Sequence, residues 1–269
     1  MNRYGPFNWI FLLLSSLVLL FLVAPLAGLF LHTGTKEFFE TAGDNAVQDS
    51  IVLTVWVSFA ATLFFSIGAV PFAWLLARKS FPLKSVVRGI IDLPIVLPHT
   101  AAGIALLGFI SRDGALGKAA GLIGLNLVNN PAGIALAMAF VSLPFLINSA
   151  RDGFAAVPER LEKAALNLGA SNTRVFFTIS LPLAWRSIVT GFVMMFARGM
   201  SEFGAVVIIA YHPMVAPVLI YDRFSSFGLK YARPAAVLFI LVALIVFTIL
   251  RILSERRDSV ETKIEYVDY

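Results

Sequence analysis

The chain has no cysteine. That excludes a disulfide framework, a cysteine zinc site and a thiol nucleophile, and leaves the redox compartment undetermined. Charge is also scarce. Asp, Glu, Lys and Arg make up 14% of the 269 residues, against roughly 25% in soluble domains. This excludes an ordinary soluble domain and, still more firmly, a disordered tail. Histidine occurs three times, at His32, His99 and His212, with no metal-ligand spacing. No G-x-x-x-x-G-K-[ST] phosphate loop is present, because GALGK at positions 114–118 is too short. No nucleophile–base–acid set is visible, so an enzyme is not indicated. No period of 20–50 residues repeats. The two halves show no paired broken-helix pattern of the kind found in inverted-repeat secondary transporters.

What the sequence has in excess is apolar length. Hydrophobic residues make up 59% of it, with 24 phenylalanines, and the mean hydropathy is +0.86. Six apolar segments stand out, at about 9–31, 50–77, 89–110, 132–150, 183–210 and 234–253. Each can cross about 30 Å of hydrocarbon as a helix, which needs about 20 residues. Without strand alternation, helices are the only spanning form available. The reading is an all-α polytopic membrane protein with six transmembrane helices, a single transmembrane domain over 1–269. The first segment is expected to be a retained helix: it is long for a signal core and has only Arg3 as its basic flank.

The net charge of +5 would raise nucleic acid as a partner on a soluble chain. Here the basic residues follow topology. Residues 78–88 carry Arg78, Lys79, Lys84 and Arg88 and no acid, whereas 32–49 carry Lys36 against Glu37, Glu40, Asp44 and Asp49. Of 21 Lys and Arg, 14 fall on the N-terminus, the second and fourth loops and the tail. Six fall on the other loops, and Arg198 lies inside a span. Basic residues mark cytoplasmic loops, so both termini are placed in the cytoplasm of a multi-pass cell-membrane protein. Nucleic acid drops out, and membrane lipid remains as a partner.

The fourth loop, 151–182, carries the sharpest pattern. Pro158 suits a first helical position, and Glu159 lies in the first turn, where the helix dipole favours an acid. Leu161, Ala164, Ala165 and Leu168 form one apolar stripe, and Gly169 follows at the stop. Ser171 or Asn172 can cap a second short helix, which Pro182 is expected to break. Two readings fit the first helix: an interfacial helix resting on lipid, or a docking surface for a partner protein. The stripe has no aromatic anchor, and the small residues Ala164, Ala165, Gly169 and Ala170 would admit a close approach.

This segment resembles the EAA loop of ABC importer permeases. Ala164, Ala165, Gly169, Ile179, Leu181 and Pro182 stand at its positions without a gap. The departure is Lys163 at the glutamate position, with Glu162 beside it. Residues 93–107, 196–213 and 216–224 further resemble molybdate/tungstate permeases, a branch related to sulfate permeases. The resemblance implies a cytoplasmic coupling helix that docks on an ABC ATPase through Glu159, Leu161, Glu162, Lys163, Ala164, Ala165, Leu168, Gly169 and Ala170. It also implies an extracytoplasmic oxyanion-binding protein and two ATPase subunits that use ATP, with no cofactor bound by this chain. Two ATPases need two docking loops, so a second copy of the chain is expected.

Inside the spans, Arg198 and Glu202 are spaced i,i+4. A charge at mid-bilayer costs about 2.5–3.5 kcal/mol on insertion scales, so neither should face lipid. A mutual ion pair that fixes packing and a polar feature near the conduit both fit. His99 and Thr100 lie deep enough to face a polar cavity, although a lone histidine more often serves packing. Ser142 and Ser201 complete the pathway candidates. Asp92 is expected at the cytoplasmic interface, capping its helix or paired with Arg88. Pro94 and Pro98 predict a kink. Gly191, Gly199 and Gly204 read as close helix contacts. The partly apolar stretch 211–233 is compatible with a segment that re-enters the membrane. The expected activity is ATP-driven import of molybdate or tungstate by alternating access. The alternatives are sulfate or thiosulfate import and a stand-alone secondary transporter.

Overall fold

The computed structural model describes residues 6–265. Arg3 lies outside the described residues, as do the side chains of Arg251, Arg256, Arg257 and Lys263. Among the described residues all regular structure is helical. Helices α1 (Pro6–Leu31), α3 (Asn45–Arg78), α7 (Pro131–Ala156) and α13 (Leu229–Glu265) are each long and apolar enough to span. So is the continuous run Asn172–Met200. It is built from α9 (Asn172–Val175), a π turn (Phe176–Ser180) and α10 (Leu181–Met200). The remaining helices are α2 (Thr35–Ala42), α4 (Lys84–Val96), α5 (His99–Ile110), α6 (Ala115–Gly121), α8 (Glu159–Asn167), α11 (Gly204–Ile209) and α12 (Ala216–Phe227).

Local chemistry sets the helix starts. The Asp44 carboxylate accepts from the Ala46 amide at 2.8 Å, ahead of α3. Asn130 does the same for α7 through Ala132 at 2.9 Å, and Pro131 fills the first position, where no donor is needed. The core forms where α7 packs against α3 and α10. Ile134, Ala137, Met138, Leu146, Ala150 and Phe154 of α7 are all buried. On α3, Ser50, Thr54, Ser58 and Thr62 recur every four residues and are buried too. Ser58 donates to the Phe196 carbonyl of α10 at 2.8 Å. Thr54 accepts from the Ala216 amide at 2.8 Å and so caps α12. Small polar side chains thus bring backbones close and satisfy donors that lipid could not. The apolar stretch of α1 buries none of its residues and packs lightly on α13, which suits a helix hydrophobic all round and solvated by lipid.

Two expectations need correction, and a third becomes sharper: the kink expected from Pro94 and Pro98 falls at Pro98, where α4 and α5 meet at 113°. Pro98 holds Leu97 in extended geometry and lacks the amide to continue α4. The fifth span is broken as well. The Glu202 amide closes α10 on the Gly199 carbonyl, and the Glu202 carboxylate then accepts from the Ala205 amide at 2.8 Å, opening α11. A broken helix therefore occurs in each half, although no such pair is visible in the sequence. Finally, Pro182 does not interrupt the run into α10. The preceding π turn shifts the hydrogen-bond register, and Pro182 sits in the first turn of α10.

The stretch 211–233 folds largely as α12. Ala216 and Leu219 pack on Val47 and Ile51 of α3 and on Ala235 of α13. Tyr211 hydrogen-bonds Asp222, and Arg223 reaches back to Asp44.

Candidate functional site

The two helix breaks meet. Helix α5 packs against α11 so tightly that a Cβ on Gly204 would lie 2.6 Å from the His99 Cβ. A Cβ on Gly103 would lie 2.9 Å from the Ala205 Cα. Gly191 and Gly199 likewise admit Ser149 of α7 and Ser58 of α3. The close contacts expected at Gly191, Gly199 and Gly204 are all present.

At this junction Arg198, His99 and Glu202 form one polar node. Arg198 Nη2 lies 2.8 Å from Glu202 Oε2 and 2.9 Å from His99 Nε2. His99 Nδ1 lies 3.2 Å from the same carboxylate oxygen. Arg198 Nη2 also lies 3.0 Å from His99 Nδ1, so the guanidinium meets both ring nitrogens. Ser201 accepts from Arg198 Nη1 at 3.3 Å. Glu202 is only 1% exposed, whereas His99 is partly open and Thr100 and Ser201 are exposed. The node is therefore a buried carboxylate overlaid by cationic and neutral donors at an accessible edge. Ser142 does not join it: it is buried on α7 and donates to the Met138 carbonyl at 2.6 Å. Asp92 accepts from Asn148 at 2.6 Å rather than from Arg88, and Asn148 accepts from Arg151 at 2.9 Å.

The second candidate site is α8. Pro158 is its N-cap rather than its first residue. Leu161, Ala164 and Leu168 are exposed, Leu168 by 89%, and Ala165 is half-buried. Lys163 faces out and pairs with Glu159 at 2.8 Å. The Lys163 hydrogen bond and charge hold the Glu159 carboxyl below its usual range. Gly169 has φ +88°, the left-handed geometry of a helix stop, and the Ala170 amide closes on the Ala165 carbonyl at 3.0 Å. Among the described residues nothing beyond its chain neighbours lies within 4 Å of a Cβ built on Gly169; here its requirement is conformational, not steric. Ser171 caps α9 by accepting from the Arg174 amide at 3.3 Å.

Glu162 differs from the rest of α8. Its carboxylate turns inward and takes two bonds from Arg78, Nε to Oε2 at 2.8 Å and Nη2 to Oε1 at 2.9 Å. Ser180 adds a third at 2.7 Å. Burial opposes ionisation of Glu162, but the Arg78 and Ser180 hydrogen bonds outweigh it and hold the carboxyl below its usual range. The sequence marks Arg78 only as a topogenic charge and is silent on Ser180; no local spacing joins residues 84 positions apart. Among the described residues no group of three or more His, Asp or Glu could hold a metal ion.

The family model described as binding-protein-dependent transport system inner membrane component matches residues 69–258. The molybdate/tungstate transport system permease protein WtpB of Thermococcus kodakarensis is 39% identical over 253 residues, covering 93% of this chain and 97% of that protein. A probable sulfate transport system permease protein, cysT of Chlorokybus atmophyticus, is 32% identical over 240 residues, covering 84% of each. The solved bacterial alginate ABC transporter, in complex with an alginate pentasaccharide-bound periplasmic protein, contains a chain of the same fold. Its TM-score is 0.73 at 18% identity, covering 93% of this chain and 95% of that one.

Proposed function

This chain belongs to the family of binding-protein-dependent transport system inner membrane components, and on that premise we propose that it imports molybdate or tungstate by alternating access. It is a membrane-embedded permease subunit of an ABC importer, a transport component and not an enzyme; this sets aside the stand-alone secondary transporter. One observation carries the substrate: near-full-length likeness, at 39% identity, to a molybdate/tungstate permease. The sulfate reading has the weaker likeness, at 32%.

The proposed division of labour follows from the two sites. The outward face of α8, from Glu159 and Leu161 through Lys163, Ala164, Ala165 and Leu168 to Gly169 and Ala170, docks on a separate ATPase that uses the ATP. Two copies of the chain present two such faces. An extracytoplasmic protein delivers the oxyanion, and both termini lie in the cytoplasm. Arg198, His99, Thr100 and Ser201 line the path. Arg198 is already engaged by Glu202, so the node offers donors without a free cation that would trap a dianion. Weak binding of this kind permits release, and selectivity then rests mainly with the delivering protein.

The test is the reconstituted complex with its cognate binding protein. Micromolar tungstate or molybdate should stimulate ATP hydrolysis and be taken up, while sulfate in large excess should do neither. Stimulation by sulfate alone, or by a sugar or amino acid, would reject the substrate assignment.

A further inference from the structure

One cluster of polar side chains ties the coupling helix to the ends of three membrane helices. Arg78 is the last residue of α3. Its guanidinium holds both oxygens of Glu162 on α8. It also donates from Nη2 to the carbonyl of Val157, the C-cap of α7, at 2.9 Å. Ser180, the last residue of the π turn that leads into α10, donates to Glu162 from the other side. One carboxylate and one guanidinium thus join the cytoplasmic ends of α3, α7 and α10 to α8. The side chains of Arg78 and Glu162 are only 8% and 10% exposed, and Ser180 and Val157 are buried. The same three helices form the central pack of the molecule.

The rest of α8 has few other attachments. Its remaining residues are exposed or half-buried, and it packs mainly against α9 and the π turn. A force applied to the outward face of α8 has this fork as its stiffest route into the bundle. A planar guanidinium that engages both carboxylate oxygens resists rotation as well as separation. From this geometry we infer that Arg78, Glu162 and Ser180 are positioning residues that transmit movement of the coupling helix to α3, α7 and α10. Glu162 therefore acts inward, as the anchor, and is not a contact for the ATPase. The inference rests on the proposed docking of α8.

The experiment compares oxyanion moved per ATP hydrolysed in the reconstituted complex of this chain with its ATPase and binding protein. Arg78→Gln, Arg78→Lys and Glu162→Gln leave the outward face of α8 intact, so the ATPase should still co-purify and hydrolyse ATP. The oxyanion moved per ATP should fall by about tenfold, within the usual range of coupling between distant sites. Arg78→Lys keeps the charge but loses the fork, and should not rescue. A second design guards against variants that fail to fold. The sequence has no cysteine, so Arg78→Cys combined with Glu162→Cys supplies its only two thiols. A short bifunctional thiol-reactive linker should restore uptake per ATP to the same preparation, and linker cleavage should abolish it again. Wild-type coupling in the single variants, or no difference between the linked and cleaved forms, would overturn the inference. If no ATPase co-purifies with the unaltered chain, the docking of α8 itself fails and the inference falls with it.

Discussion

Arg198 and Glu202 illustrate how little one residue decides alone. Their i,i+4 spacing allows a pair, but only the fold adds His99 from another helix and the Ala205 amide from the next one. Neutralising Arg198 strands the buried Glu202 carboxylate, which costs about 3–5 kcal/mol, whereas neutralising Glu202 leaves a partly exposed Arg198 and should cost less. Removing both should recover part of that loss. A double-mutant cycle of Arg198→Gln and Glu202→Gln, read as stability in detergent, should give a coupling of about 0.5–3 kcal/mol; strictly additive effects would mean the two do not interact. Glu162 makes a pH prediction. Its native carboxyl titrates below the usual glutamate value of 4.5. Its contribution to stability is therefore complete above that value and is lost as pH falls through the lower native one. The stability gap between wild type and Glu162→Gln should be widest near neutrality and narrow below about pH 4.5. A gap that does not change with pH would remove the ionised pair as its source.

At the scale of elements, the breaks in the third and fifth spans matter most, because they let α5 and α11 cross in close contact. Gly103 and Gly204 mark that crossing. Gly103→Val would drive methyl groups into the Ala205 backbone, 2.9 Å from the Cβ position, and should cost about 1–3 kcal/mol as overpacking. Gly108 lies on the same helix, and among the described residues nothing outside its own helix turn comes within 4 Å of its Cβ position. Gly108→Val should stay within about 0.5 kcal/mol, as surface substitutions do. Thermal unfolding of the two variants side by side decides the point, and equal losses would refute the crossing. The proline kink was legible, because Pro98 removes a donor whatever surrounds it. The break at Glu202 was not: Gly199 and Gly204 weaken a helix by about 1 kcal/mol each without fixing where it ends. It forms because the carboxylate caps α11 while its charge is met by groups from elsewhere in the fold.

For the whole molecule, orientation is the property most open to test. The 14 basic residues on one set of loops and termini against six on the other predict that a reporter fused after Leu253 works only in the cytoplasm; activity outside would invert the topology. The sequence by itself determined the membrane class, the number of apolar segments and the loop with its short helix, because each depends on local composition. Twenty apolar residues need lipid or burial wherever they stand, and an i, i+3, i+4, i+7 stripe ended by glycine needs no distant partner. It also carried the family, through the spacing from Ala164 to Pro182. What the tertiary structure alone decided is which polar groups meet. Arg78 finds Glu162 across 84 residues, His99 finds Arg198 across 99, and Ser142 is left buried with only its own helix for a partner. Ionised and polar groups in a low-dielectric bundle must be paired, but many pairings can meet that demand, and only the packing of α3, α7 and α10 selects one.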